Sequence, residues 1–333
     1  MTGNSWQNLV ARYQTPSVKR AVWQLVSTIL PLIAAFVVMY WSLRVSYWLT
    51  LALAIPTAGL AIRTFIIMHD CGHGSFLPSR LANDIVGWIT GIITATPYSH
   101  WRREHAIHHA NSGHLDGRGT GDISTLTVRE YLALDWWGRV RYRIYRNPLI
   151  LLVFGPAWLF FKHRWPSRRF AGRREVLNVF GTNLALAGLI TGLSLLIGFG
   201  AFMKIWVPIL FLSGATGVLL FYVQHQFEDA YWRGEGEWDY ATAAVMGSSY
   251  FRLPRVFQWF TGNIGFHHVH HLSPRIPNYR LERCHRENPE FQQVTTLTLA
   301  HSIRTLRLKL WDEEAGRMIG FRELRQLRTA SSR

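Results

Sequence analysis

The sequence predicts an all-α integral membrane fold, with four transmembrane helices carrying a helical cap on the cytosolic side. Three observations predict it. Four apolar runs are each about twenty residues long, enough for a helix to cross the ~30 Å hydrocarbon core. Lysine and arginine crowd onto one side of those runs. Eight of the fifteen histidines fall into three groups at helical spacing, and all three groups lie on that same side.

Residues 1–21 form a polar cytosolic N-terminal segment without a cleavable signal. The spans are expected at about 22–41, 47–68, 176–200 and 205–223. Pro31 lies inside the first, Pro56 and an unusual Arg63 inside the second. The stretches 85–97 and 149–161 are apolar but too short to cross, and read as re-entrant or interfacial segments. The membrane domain is therefore expected over 22–290, followed at 291–333 by a basic, amphipathic, cytosolic helical tail.

Parity supports four spans. Two crossings separate the first histidine group from the N-terminus, and two more separate the second group from the third. Promoting either short stretch alone to a span would put two groups on opposite faces. Charge agrees: of 36 lysines and arginines, only Arg44 and Lys204 fall in the opposite loops and Arg63 within a run. By the positive-inside rule the histidine side and both termini are cytoplasmic. The membrane is then the plasma or inner membrane of a bacterium, or the endoplasmic reticulum or plastid of a eukaryote. The net charge of +16 is read as this topology signal and as a surface for lipid or a docking partner. It does not point to nucleic acid, because the basic residues flank apolar runs and no recognition motif is present. Two cysteines, Cys71 and Cys284, cannot build a disulfide framework and suit a reducing compartment.

The histidine groups read His69-Asp-Cys-Gly-His73, His105-Ala-Ile-His108-His109 and His267-His-Val-His270-His271. Spacings of i, i+4 and of i, i+3, i+4 put each set on one helical face. Neutral imidazole suits iron, copper, zinc and nickel, and eight such ligands are about right for two ions. Zinc hydrolases often use His-Glu-x-x-His, which is absent. Calcium and magnesium prefer oxygen, and no added Cys or Met ligand argues for copper. The soluble di-iron proteins use paired Glu-x-x-His motifs, and Glu282-Arg-Cys-His285 has no partner. A non-enzymatic metal-binding membrane protein or transporter would place histidines or carboxylates inside the spans. Here Arg63 is the one charged residue there.

The chain resembles the membrane fatty acid desaturases, over roughly residues 45–280. All three of that family's histidine boxes are present in order. His69-Asp-Cys-Gly-His-Gly74 and Asn263-Ile-Gly-Phe-His267, running on to Pro277, resemble the Δ12/ω-3 acyl-lipid branch, whose first box has a three-residue spacer. The resemblance implies two iron ions in the cap, O₂ as co-substrate, and insertion of a cis double bond into the acyl chain of a membrane lipid or a fatty acyl thioester. It also implies a ninth ligand, His225, in Gln224-His225-Gln226 after the fourth run. The implied ligand set is His69, His73, His105, His108, His109, His225, His267, His270 and His271. The acyl-CoA branch has an asparagine one turn before that ninth histidine, where this chain has Phe221. The nearest alternatives in the same superfamily are acyl, alkane and carotenoid hydroxylases.

Asp70, Glu104 and Asp122 are candidates to orient imidazoles through their second nitrogen. His268, off the face of its group, is expected to stand behind the ligands or at the surface. His100 and His114 flank the second box, and His163, His285 and His301 read as surface residues. Trp88, Trp101, Trp259 and Phe260 are candidate walls of an acyl tunnel. Oxidising an unactivated alkyl chain lies beyond side-chain chemistry and needs a redox cofactor. No His-Pro-Gly-Gly haem motif is present, so electrons are expected from a separate ferredoxin or cytochrome b5, which a basic face would suit.

Overall fold

The computed structural model describes residues 5–331. After the short helix α1 (Ser5–Ala11), two long helices follow: α2 (Val18–Ser42), capped by Ser17, and α3 (Tyr47–His73), capped by Ser46. Then come α4 (Arg80–Ile93), α5 (Tyr98–Asn111), strand β1 (Leu126–Thr127), α6 (Val128–Ala133), α7 (Trp136–Tyr145) and α8 (Pro148–Lys162). The second long pair is α9 (Arg173–Ile197) and α10 (Phe199–His225), separated by the single residue Gly198 at φ 87°. That positive φ, which glycine takes without steric cost, turns the chain sharply between them. The cap continues with α11 (Tyr240–Met246), β2 (Tyr250–Phe251), α12 (Arg255–Phe260), α13 (His267–Leu272) and α14 (Asn278–Glu287). It ends with β3 (Thr296–Leu297), α15 (Leu299–Thr305), β4 (Leu310–Asp312), β5 (Arg317–Ile319) and α16 (Phe321–Ser331).

Among the described residues, α2, α3, α9 and α10 are the four single helices long and apolar enough to cross a membrane. Apolar side chains such as Leu30, Ile33, Leu184 and Leu195 face outward on α2 and α9, as a lipid solvent requires. α3 runs five residues past its expected end, and α10 begins six residues before its expected start and ends on His225. At ~1.5 Å per residue, 27 residues reach ~40 Å, about 10 Å more than the hydrocarbon core. The last turns of α3 and α10 carry His69, His73 and His225. The two short apolar stretches form α4 and α8, and α7 and α8 meet at a 76° bend.

The tail departs from expectation. It is not simply helical: β4 and β5 form an antiparallel hairpin, β4 pairs with β1, and β3 pairs with β2. Trp311, Met318 and Ile319 are buried, Trp311 and Met318 in one core cluster with Ile62 and Val223. Strands of two or three residues leave too little period-2 signal to be read from sequence.

Candidate metal centre

Four helix ends converge on the centre. α3 contributes His69 and His73 from its last turn before Gly74 ends it in the left-handed region, at φ 68°. α5 contributes His105, His108 and His109, and α10 its final residue, His225. α13 opens on His267 and carries His270 and His271 on the same face. The donor atoms of His69, His73, His105, His109 and His270 lie within 4.8 Å of one another, and so do those of His108, His225 and His271. His267 joins the second group, its Nε2 being 2.9 Å from His225 Nε2. All nine sequence-expected histidines are thus brought together, in adjacent sets of five and four.

Their nitrogens fit metal ions better than they fit each other. His105 Nε2 lies 3.1 Å from both His69 Nε2 and His109 Nε2, and His109 Nε2 is 3.0 Å from His270 Nε2. A neutral imidazole nitrogen either donates or accepts, so one proton per ring cannot satisfy this chain of contacts. Imidazole–metal bonds of ~2.1 Å set at right angles place neighbouring nitrogens about 3.0 Å apart. His73, His108 and His271 also each hold a buried Nε2 with no protein partner. Burial first, then the neighbouring imidazoles, push His105, His109, His267, His270 and His271 well below the usual 6.5, so these rings are neutral and able to bind metal.

Outer hydrogen bonds set the tautomers. His69 Nδ1 donates to Asp70 Oδ1 at 3.1 Å, His108 Nδ1 to Asp122, and His225 Nδ1 to the Gly247 carbonyl at 3.2 Å. Each bond leaves Nε2 facing the centre. Asp70 and Asp122 are thus the two carboxylates that contact histidines of the cluster through Nδ1. Glu104 departs from its expectation: it pairs with Lys162 and faces His163 Nε2 at 3.7 Å. Burial raises the Glu104 pKa, but those partners outweigh it and hold the carboxyl at about 2.

A cavity of about 1250 Å³ reaches His69, His105 and His267. Its walls are mostly apolar side chains of α2, α3, α8, α9 and α10. Trp101 lines it and stacks on His105 with ring centres 4.4 Å apart. Phe221 also lines it, its ring 5.0 Å from His108 and 5.1 Å from His225.

The family model for fatty acid desaturase matches residues 45–301. This chain belongs to the fatty acid desaturase family. It is 44% identical to a fatty acid desaturase of Bacillus subtilis (strain 168), over 96% of this chain and 90% of that one. It is 32% identical to the acyl-lipid omega-3 desaturase (cytochrome b5) of the Arabidopsis thaliana endoplasmic reticulum, over 75% and 64%. It is 28% identical to the chloroplastic sn-2 acyl-lipid omega-3 desaturase (ferredoxin) of Helianthus annuus, over 65% of this chain and 50% of that one.

Other expectations for this desaturase need correction. Trp88, Trp259 and Phe260 do not line the cavity; Trp259 covers the Arg63 guanidinium, 4.2 Å from its ring centre. His285 and His163 are not surface residues: His285 is buried against His268, and the His163 side chain is largely enclosed beside Glu104. His268 is itself fully buried, its Nε2 3.1 Å from His285 Nδ1, and lies outside the metal-facing set. His100 Nε2 accepts from the Ser167 backbone at 3.0 Å, and His114 packs by Trp238. His301 is exposed, as expected.

Two positioning residues carried no signal in the sequence. Asn278 donates to Asp70 Oδ2 from its backbone at 2.6 Å and its side chain at 2.8 Å. Arg146, fully buried, donates to Ser124 O, Thr125 Oγ1, Tyr222 Oη, Gln226 Oε1 and Leu308 O. It thereby ties the loop after Asp122 to the end of α10 on either side of His225.

Proposed function

We propose that this desaturase uses O₂ to insert a cis double bond into the acyl chain of a membrane lipid or fatty acyl thioester, at two iron ions held by the nine histidines. His69, His73, His105, His109 and His270 hold one ion, and His108, His225, His267 and His271 the other. The observation that carries this reading is that both imidazole sets reach one large, mostly apolar cavity, one through His69 and His105 and the other through His267. When bound, two irons supply a redox centre that reduces O₂ with two external electrons while two hydrogens leave the alkyl chain.

The protein's own groups do the rest. The cavity takes an alkyl chain from the bilayer side, because exposed residues of α2, α8 and α9, such as Ile33, Phe154 and Leu196, are also its walls. Trp101 and Phe221 hold that chain against the imidazoles and keep water from them. Phe221, where the acyl-CoA branch has asparagine, offers the second ion no polar side chain. The electron donor is separate and of ferredoxin or cytochrome b5 type, as in the names of the sunflower and Arabidopsis relatives. The protein is an integral membrane protein with the centre and both termini cytoplasmic. A reporter fused after Arg333 then reads cytoplasmic, and an external reading contradicts the topology.

Lipid analysis of cells expressing the chain tests the function. New cis-unsaturated acyl chains, absent with His270→Ala, are the expected result. Hydroxylated chains in their place would move the protein to the hydroxylase reading.

A further inference from the structure

Arg63 is a charge inside a span that neither the metal centre nor the cavity uses. It sits ten residues, ~15 Å, before the C-terminal end of α3, and Gly59 sits fourteen residues, ~21 Å, before that end. Because α3 exceeds the hydrocarbon core by only about 10 Å, both positions lie inside the core wherever the surplus falls. A charge at that depth is costly and is held by polar groups of the protein. Among the described residues both of its partners are neutral: Nε donates to Thr28 Oγ1 at 3.0 Å, and Nη1 donates to the Trp259 carbonyl.

Trp259 belongs to α12, a helix of only six residues shortly before the third histidine group. Two close approaches fix how deep α12 reaches. The Phe260 ring packs on Gly59, where an added Cβ would fall 2.6 Å from it. Gly262, at φ 52°, then brings the chain against Ile66, two turns nearer the end of α3. The segment thus goes down to the level of Gly59 and turns back.

Its surface suits lipid. No residue of α12 is buried, and Val256 and Phe257 are 60% and 48% exposed. Backbone groups in hydrocarbon need partners within the protein, and the last turn of α12 has them. Thr261 N–H donates to the Phe257 carbonyl at 2.9 Å and Asn263 N–H to that of Gln258 at 3.0 Å. Gly262 N–H, at 3.2 Å, and Arg63 both donate to that of Trp259. A cation at this C-terminal end also complements the helix dipole. At the other end the first N–H groups follow Pro254, with exposed Arg252 and Arg255 beside them, as suits a helix that starts among phosphates and water.

We propose that α12 is a re-entrant segment inserted into the leaflet on the histidine side. The acyl chains of that leaflet are the partner of its Val256 and Phe257 face, and Arg63 is the residue that holds its tip at depth. α12 leads through Gly262 and Asn263, both at positive φ, to His267. The bilayer thereby helps to fix where the third histidine group stands.

Depth is measured directly, without reference to activity. Phe257→Cys is labelled with a small fluorophore in the full-length chain, whose own Cys71 and Cys284 are fully buried. The protein is placed in phosphatidylcholine–phosphatidylglycerol vesicles, and quenching by nitroxide-bearing phospholipid is compared with quenching by aqueous iodide. Leu184→Cys, exposed on α9, is the lipid reference, and Glu237→Cys, exposed in the cap, is the water reference. The Phe257→Cys label is expected to follow Leu184→Cys: quenched by lipid and protected from iodide. A label as open to iodide as Glu237→Cys overturns the proposal. So does a label shielded from both quenchers, which would mean that protein covers this face. Adding Arg63→Met is expected to shift the label toward iodide and to lower the iron retained on dialysis, with Arg63→Lys nearer wild type. Unchanged depth in Arg63→Met overturns the role given to Arg63, and Arg63→Lys carries the same comparison if Arg63→Met does not fold.

Discussion

Asp70 binds Asn278 twice through a single carboxylate oxygen, at 2.6 and 2.8 Å, across 208 residues of sequence. The other oxygen takes the Nδ1 proton of His69. One buried carboxylate therefore joins the first histidine group to the segment that follows the third.

Asp70→Asn keeps the shape, but an amide has a single acceptor oxygen and cannot both accept from Asn278 and take the His69 Nδ1 proton. Outer partners of metal-bound histidine typically carry 10–100-fold in affinity or activity, so iron content and desaturation should fall by at least about ten-fold. Metal analysis of the purified variant checks this; wild-type iron content would contradict it.

His268 and His270 stand two residues apart and should respond differently. His270→Ala removes a nitrogen that lies 3.0 Å from His109 Nε2, and should abolish activity and release metal. His268→Ala leaves the metal-facing set intact but empties a fully buried position against His285. Its cost should be about 1–3 kcal/mol of stability, read as a lower Tm with both metals retained. Loss of metal in both variants would remove the distinction between them.

Arg146→Lys keeps the charge and loses the planar fork. Because Arg146 ties the loop after Asp122 to the residues around His225, the set holding His108 and His225 should loosen first. The expected result is iron falling from about two toward about one per chain, with partial losses in Thr125→Val and Gln226→Leu. Equal loss from both sets would mark the role as general folding support.

Lys309 shares this buried region, its Nζ 3.4 Å from Tyr222 Oη, and has no ion-pair partner among the described residues. Burial, then Arg146, lowers its pKa to about 7 from the usual 10.5. Between those values the unfolded chain holds the extra proton, so this group makes stability rise with pH from about 7 to 10.5. Lys309→Met should raise Tm at pH 7 and flatten that slope. An unchanged slope in thermal unfolding across the window would show that Lys309 is not the source.

The spans and eight of the nine clustered histidines were legible in the sequence because both rest on local periodicity: about twenty apolar residues per span, and imidazoles one turn apart on a helix; His225 came from the family resemblance alone. His267, His270 and His271 on α13 meet that rule directly. What stayed hidden depends on partners far along the chain. Nothing near Asn278 announces Asp70, and Arg146 is one arginine among many in a basic loop region. Glu104 sits beside His105 in sequence, yet its charge is spent on Lys162, 58 residues away. Trp101 and Phe221 line the cavity where Trp88 and Trp259 do not, because helix rotation and packing decide which aromatics face it.

The central claim is that nine imidazoles hold two iron ions as adjacent sets of five and four. Metal analysis of the purified, active full-length protein tests it most directly. The account predicts iron at about two per chain, falling with activity in His225→Ala and His270→Ala alike. Active protein containing one zinc per chain and no iron would contradict it.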